Sequence, residues 1–206
     1  MAHIPDGVLS APVLATGIFI SAGLLTLALR HLDDERIPHA AVLSATFFVS
    51  SLLSIPLGPS SVHLLLNGLM GLLLGWTALP ALFVGLLLQA GFFGIGGVLS
   101  LGINTLNLAL PALLCALILR PLLPRATAQR VFWVGAAAGA FGVLLTAGLT
   151  ALSLGLSGEP FIPAAKVLLV AYVPLALVEA LVTATVARFL QRIDPTLLMR
   201  MEASRA

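Results

Sequence analysis

Residues 131–154, VFWVGAAAGAFGVLLTAGLTALSL, form an unbroken run without a single charged side chain. About 20 consecutive apolar residues in an α-helix are enough to cross the hydrocarbon core of a bilayer. This run is longer than that, and it is rich in residues that favour helices. It therefore predicts a transmembrane helix, and the rest of the chain repeats the pattern.

The composition extends this interpretation to the whole chain of 206 residues. Hydrophobic residues make up 60% and charged residues 9%, and the mean hydropathy is +1.13. A soluble domain has about 25% charged residues, so a soluble globule is excluded. The single cysteine, Cys115, excludes an internal disulfide. Seven apolar spans are predicted, at about 12–29, 39–57, 61–75, 79–95, 106–123, 131–154 and 164–190.

The basic residues predict the orientation of these spans. With seven crossings the two termini lie on opposite sides, and nine of the ten basic residues then fall in segments of the carboxyl-terminal side. The other side holds only Lys166. By the positive-inside rule the amino terminus is extracytoplasmic and the carboxyl terminus cytoplasmic. The net charge of +2 therefore reflects topology in a multi-pass cell-membrane protein rather than nucleic-acid binding.

The predicted fold class is an all-α integral membrane protein with one transmembrane domain over residues 1–206. Residues 1–10 form an amino-terminal loop, 11–190 the helical bundle and 191–206 a cytoplasmic tail. The stretch 61–104 carries no charge, so it holds either two complete crossings or two short helices that meet at a broken loop. Irregular backbone at membrane depth is tolerated only beside protein or a wet cavity. The glycines of Gly94-Ile95-Gly96-Gly97 therefore indicate a site or a close helix crossing.

The amino terminus has the chemistry of a metal chelate. There is no signal peptide pattern, so we expect the terminus to be retained. If Met1 stays, the amine, two amides and the His3 imidazole supply four nitrogens. If Met1 is removed, which the small Ala2 favours, the amine, the His3 amide and the imidazole supply three, and His63 is the natural fourth donor. Square-planar nitrogen coordination suits nickel(II) and copper(II), with cobalt(II) a weaker competitor, whereas zinc prefers a tetrahedron.

Polar side chains within the apolar spans are candidates to support or line this site. Asn67 follows His63 by four residues, which places both on one face if the segment is helical. Amide oxygens suit the second N–H of a ligand imidazole, although hydrogen bonding between helices explains each residue equally well. Glu179 either pairs with a polar group or stays protonated. The four candidates are Asn67, Gln89, Asn104 and Asn107.

Several stretches resemble the CbiM/NikM family, the substrate-capture components of cobalt and nickel energy-coupling-factor transporters. The resemblance covers nearly the whole chain and favours the nickel branch. The matching stretches are AHIPDGVLS at 2–10, SVHLLLNGLMG at 61–71, LQA at 88–90, GIGG at 94–97, LGINTLN at 101–107, VEA at 178–180 and RFL at 188–190.

The resemblance implies a seven-helix bundle with an inserted amino-terminal loop, and a metal held by the terminal amine, His3 and His63. It implies an ABC-type importer in the cell inner membrane, with a scaffold transmembrane subunit, cytoplasmic ATPase subunits and often a small accessory membrane subunit. The chain itself is then no enzyme, and nickel or cobalt is its substrate. Two departures stand out, because Ala2 separates Met1 from His3, and Tyr172 stands where the family often has histidine.

Two other functions remain open from the residues alone. One is a capture component of the same architecture for an organic micronutrient such as a vitamin, although aromatic residues are only 6% of the chain. The other is an intramembrane enzyme in which Ser60 or Ser61 pairs with His63, although no orienting acid is evident nearby.

Overall fold

A computed structural model describes residues 3–52, 55–57 and 60–193, and of 55–57 and 60–62 the backbone alone. The chain folds into a bundle of α-helices with one short β-ribbon. Predicted loop and tail residues 1–2 and 194–206 lie outside the described part. The elements are α1 Ala11–Leu29, α2 Ile37–Leu52, β1 Ile55–Leu57, β2 Ser60–Val62, α3 Asn67–Leu74, α4 Ala78–Phe93, α5 Leu101–Ile118, α6 Ala128–Ser157 and α7 Ile162–Ile193.

The long helices confirm that the chain is a multi-pass membrane protein. In the described part, five helical stretches are long and apolar enough to cross a bilayer: 11–29, 67–93, 101–122, 128–157 and 159–193. Their outward faces carry large apolar side chains such as Phe19, which is 78% exposed, and Val170, which is 74% exposed. Such faces are stable only against lipid or other apolar surfaces.

The predicted second and third spans are wrong in their boundaries. α2 ends at Leu52, and Ile55–Leu57 pairs with Ser60–Val62 as an antiparallel ribbon. Pro56 has no backbone N–H and disfavours helix at the residue before it, so the helix ends ahead of it. Residues 63–66 are irregular, and α3 begins only at Asn67. His63 is therefore not within a helix, and the predicted shared helix face of His63 and Asn67 is wrong.

α3 and α4 form a helical hairpin rather than one straight span. Asn67 bonds to the Leu108 carbonyl, and Gly71 lies directly against Ala112, so α3 runs in the same direction as α5. At Gly75 the chain turns with a φ of +63°, a conformation that suits glycine. α4 then returns, and Gly96 beyond it lies beside Asn104 near the start of α5. With only eight residues, α3 spans about half the height of the bundle. The irregular residues 63–66 precede it and continue in the direction of the other half.

The two ends of the bundle carry different residues. At one end the Ser157 hydroxyl accepts a hydrogen bond from the Ser10 N–H, 3.2 Å away; we call this the amino-terminal end. At the other end His31 stacks on Trp76 with ring centroids 5.2 Å apart. The loops that hold most of the arginines therefore lie at the end opposite Ser10.

Candidate metal centre

The segment that precedes α1 is held inside the bundle by one amide side chain. Asn104 Oδ1 accepts from the Ile4 N–H at 2.9 Å, and Asn104 Nδ2 donates to the Ile4 carbonyl at 3.0 Å. These two bonds satisfy the backbone N–H and carbonyl of Ile4, which a neighbouring strand would satisfy in a sheet. A Cβ on Gly96 would lie 3.1 Å from the Cβ of His3, so only glycine lets the segment pass closely. His3 and Ile4 are consequently 3% and 4% exposed.

The carboxylate of Asp6 also anchors this segment. Asp6 accepts hydrogen bonds from the N–H groups of Val98, Leu99 and Ser100, at 3.0, 3.3 and 2.8 Å. These amides precede α5, where an anion is also favoured by the helix dipole. Burial raises the pKa of Asp6, but the hydrogen bonds prevail and hold the pKa below its ordinary value. The sequence analysis gave this residue no role.

We expect Asp6→Ala to release this anchor. At neutral pH, hydrogen exchange of the Val98, Leu99 and Ser100 amides is expected to accelerate by about fivefold or more, because each loses a charged acceptor. The acceleration is limited because Asp6 is exposed, so that water screens its charge and can replace it as an acceptor. Because the folded pKa lies below the ordinary 3.8, the anchor is complete above pH 3.8 and is lost only as pH falls through the lower folded value.

Asp34→Ala is the matched control, because Asp34 is also exposed and lies in the 3-10 turn at the opposite end of the bundle. Its exchange pattern at residues 98–100 is expected to equal that of the unaltered protein. Equal exchange in Asp6→Ala and Asp34→Ala would rule out the anchor.

The two histidines that the sequence singled out lie together. The His3 and His63 rings stack with centroids 5.1 Å apart and planes 11° apart. Both are buried, at 3% and 6% exposure. Within the described residues, both ring nitrogens of His3 and Nε2 of His63 are buried without a hydrogen-bond partner. Buried polar nitrogens are nearly always satisfied in folded proteins, so this group has the donor chemistry of a ligand site.

The state of the rings favours metal binding. His63 Nδ1 lies 3.1 Å from the Leu64 carbonyl. Since a carbonyl only accepts, Nδ1 carries the proton and Nε2 holds the free lone pair, the usual arrangement of a ligand histidine. Burial and, to a smaller extent, the neighbouring His63 together lower the pKa of His3 to about 3. The His3 ring is therefore neutral at physiological pH.

The donors gathered here are few. No group of three or more His, Cys, Asp or Glu side chains suited to one metal ion occurs among the residues that the structure describes. Any further donors to a site built on His3 and His63 are therefore groups of another kind in this part of the chain. Ala2, which the sequence analysis assigned as the source of the amine, and Met1, its alternative, lie outside the described residues.

The four predicted supporting residues separate into two groups. Asn104 touches the amino-terminal segment, as described above. The other three use the hydrogen bonds that the structure describes to join helices. Asn67 donates to Thr146 Oγ1 at 2.8 Å, Gln89 donates to Ser51 Oγ at 2.8 Å, and Asn107 lies 3.4 Å from Ser153 Oγ. For these three the geometry favours the alternative of interhelical bonding.

Glu179 has partners that the sequence did not reveal. Its Oε1 accepts from the Leu65 and Leu66 N–H groups, which belong to the irregular segment that carries His63. A carboxylate within an apolar helix was the only signal in the sequence. Tyr172, which the sequence analysis noted as a departure from the family pattern, is 2% exposed and lies in the main hydrophobic core.

Related proteins match this chain over nearly its whole length. A protein of Haemophilus influenzae named for metal transport is 35% identical over 97% of this chain and 98% of its own. The fused nickel transport protein NikMN of Rhodobacter capsulatus is 33% identical over 99% of this chain, which spans 66% of that longer protein. The cobalt transport protein CbiM of Sorangium cellulosum is 28% identical over 98% of this chain and 97% of its own.

A solved structure and a family profile agree with these relatives. The crystal structure of a truncated transition metal transporter superposes with a TM-score of 0.78 at 25% identity, covering 93% of this chain and 99% of that one. Residues 3–197 match the CbiM family profile, described as the cobalt uptake substrate-specific transmembrane region. With nearly the whole chain matched, this protein belongs to the CbiM family, whose members are membrane components of cobalt and nickel uptake rather than enzymes.

Proposed function

We propose that this protein captures nickel(II) at its amino-terminal end and delivers it to an ATP-driven importer. The stacked His3–His63 pair, with buried and unpartnered ring nitrogens, is the observation that carries the proposal. The Ala2 amine, the His3 amide, a His3 ring nitrogen and His63 Nε2 together supply four nitrogen donors. Asn104 holds the segment that bears the first three.

Nickel(II) fits this donor set better than cobalt(II). An amine, an amide and two imidazoles favour a square plane, which suits nickel(II), and the general order of affinities places nickel above cobalt. Relatives named for nickel and for cobalt transport reach similar identities to this chain, 33% and 32%. The preference for nickel, with cobalt as its competitor, therefore rests on the donor set alone.

The charge distribution supports the proposed orientation, and family membership supports the proposed partners. Nine of the ten basic residues belong to segments assigned to one side, and the positive-inside rule makes that side cytoplasmic. The histidine pair then faces the side from which an imported ion arrives. ATP hydrolysis belongs to cytoplasmic ATPase subunits joined through a scaffold transmembrane subunit. A small accessory membrane subunit completes the importer.

Ligand titration of the purified full-length protein tests this function. We expect one nickel ion per chain and a rise in the thermal midpoint, because a ligand that binds only the folded state stabilises it. Cobalt is expected to bind more weakly, and zinc more weakly still. Stabilisation by zinc but not by nickel would contradict the donor set, and stabilisation by a vitamin alone would contradict a metal substrate.

We further expect that two glycines inserted between Met1 and Ala2 abolish tight binding. The insertion moves the terminal amine away from the His3 amide in either register of Met1, so the fused chelate rings cannot form. Nickel affinity is expected to fall by more than about 100-fold, beyond the loss from removing an outer partner of a ligand. Isothermal titration measures it.

The same two glycines added after Ala206 provide the control, with affinity equal to that of the unaltered protein. If the amino-terminal insertion also leaves affinity unchanged, the amine is no ligand.

A further inference from the structure

The irregular segment that carries His63 is built around a backbone conformation that needs external support. Leu66 has a φ of +51° and a ψ of 8°, in the left-handed region that costs a branched, non-glycine residue free energy. The conformation precedes α3 and directs successive N–H groups into the bundle interior. No side chain of its own caps α3 at Leu66.

Glu179 supplies the missing support from α7. The N–H groups of Leu65 and Leu66 both donate to its Oε1, the second at 3.0 Å. Glu179 and Leu65 are 0% exposed, and Leu66 is 6% exposed. Consecutive N–H groups in a turn form a concave site for an acceptor oxygen, and the Glu179 Oε1 occupies it. In a dry interior, no water can replace this acceptor.

The backbone of Glu179 is also fixed in place. Its carbonyl lies directly against Gly139 of α6, where a Cβ would overlap it. α7 therefore cannot slide or rotate freely at this level, and the carboxylate is held at one height in the bundle. A rigidly placed acceptor defines where residues 65 and 66 lie, and His63 is only two residues before them.

We propose that Glu179 is a positioning residue for the metal site: its carboxylate holds the 65–66 turn and thereby places His63 Nε2 opposite His3. The inference rests on the proposed nickel function. It assigns a role in nickel binding to a carboxylate that does not itself contact the ion. Within the described residues its second oxygen, Oε2, has no hydrogen-bond partner, so Oε1 alone makes the contact. A neutral carbonyl oxygen at the same place preserves the contact, whereas an apolar side chain removes it.

Nickel titration of Glu179→Leu and Glu179→Gln tests the inference. Loss of the acceptor in Glu179→Leu is expected to weaken nickel binding by about tenfold or more, because two amides are left unsatisfied. In Glu179→Gln the amide oxygen still accepts, and affinity is expected to stay within about threefold of the unaltered protein. A glutamine variant as weak as the leucine variant would overturn the proposal.

A double-mutant cycle separates positioning from a general loss of stability. If Glu179 acts through His63, Glu179→Leu costs little further affinity in the His63→Ala background. The visible absorption of nickel bound to Glu179→Leu is then expected to shift from that of the unaltered protein towards that of His63→Ala, since His63 is no longer held at the ion. Additive losses, or an absorption like that of the unaltered protein, would overturn the proposal.

The remaining outcomes distinguish this inference from the function on which it rests. If the unaltered protein binds no nickel, both the proposed function and this inference are contradicted. If nickel binding depends on His63 but Glu179→Leu keeps full affinity, this inference alone is contradicted. If Glu179→Leu does not fold, Glu179→Asp replaces it, because a side chain one methylene shorter cannot reach both amides. Aspartate binding as tightly as glutamate would then contradict the proposal.

Discussion

His63→Ala is expected to weaken nickel binding by about 100- to 1000-fold, by analogy with structural zinc sites, in which four donors share an apparent binding free energy on the order of 10–16 kcal/mol. His3→Ala is expected to cost more, because the imidazole closes one of the fused rings of the terminal chelate. Isothermal titration of both purified variants measures the two losses. Comparing the two losses in affinity shows how much of the binding comes from the terminal donors and how much from His63 in the bundle.

His39→Ala is the matched control for these variants. His39 is exposed at the start of α2, at the end of the bundle opposite the candidate site, and its replacement is expected to leave affinity unchanged. Full affinity in both His3→Ala and His63→Ala would refute the site. Loss in His3→Ala alone would instead point to a four-nitrogen chelate from the terminus with Met1 retained.

Gly139→Ala is expected to lower the thermal midpoint by about 5 to 10 °C, from the cost of overpacking in a chain of this size. The new Cβ would overlap the Glu179 carbonyl and lie 2.9 Å from the Ala180 Cα, so α6 and α7 must separate. Small residues at such crossings allow the backbones of membrane helices to approach closely. Thermal unfolding of the purified protein measures the effect.

Gly148→Ala on the same helix gives the opposite expectation. A Cβ at Gly148 meets nothing within 4 Å, and alanine is a better helix former than glycine by about 1 kcal/mol. Its midpoint is expected to rise slightly. A fall of equal size in both variants would show that the close crossing does not explain the sensitivity of Gly139.

Much of the fold follows from apolar length and charge, which depend little on neighbours. The long helices, the multi-pass character and the buried state of Cys115, which is 0% exposed, were all predicted. The start of α3 was not, because residues 61–75 carry no Asp, Glu, Lys or Arg and no change in periodicity marks where irregular backbone gives way to helix. The left-handed Leu66 depends on Glu179, which is 113 residues away in the chain.

The sequence singled out the two histidines of the candidate site, but not the residues that hold them in place. His3 and His63 stood out because a terminal chelate and an isolated histidine among apolar residues are chemically unusual. The sequence left the role of Glu179 open, and it indicated neither the anchoring of Asp6 at residues 98–100 nor the way Asn104 binds Ile4. These contacts join residues distant in the chain. Family membership in turn removes the vitamin and enzyme alternatives, which composition alone had left open.

The most direct test of the central claim is the intact mass of the purified protein under non-denaturing conditions, with and without nickel. We predict a chain that has lost Met1 and carries one nickel ion, which corresponds to three donors from the Ala2–His3 terminus and one from His63. A chain that retains Met1 and still binds one ion would contradict the role of His63, because the terminus alone would then supply four nitrogens. A chain that binds no nickel in either form would contradict the function itself.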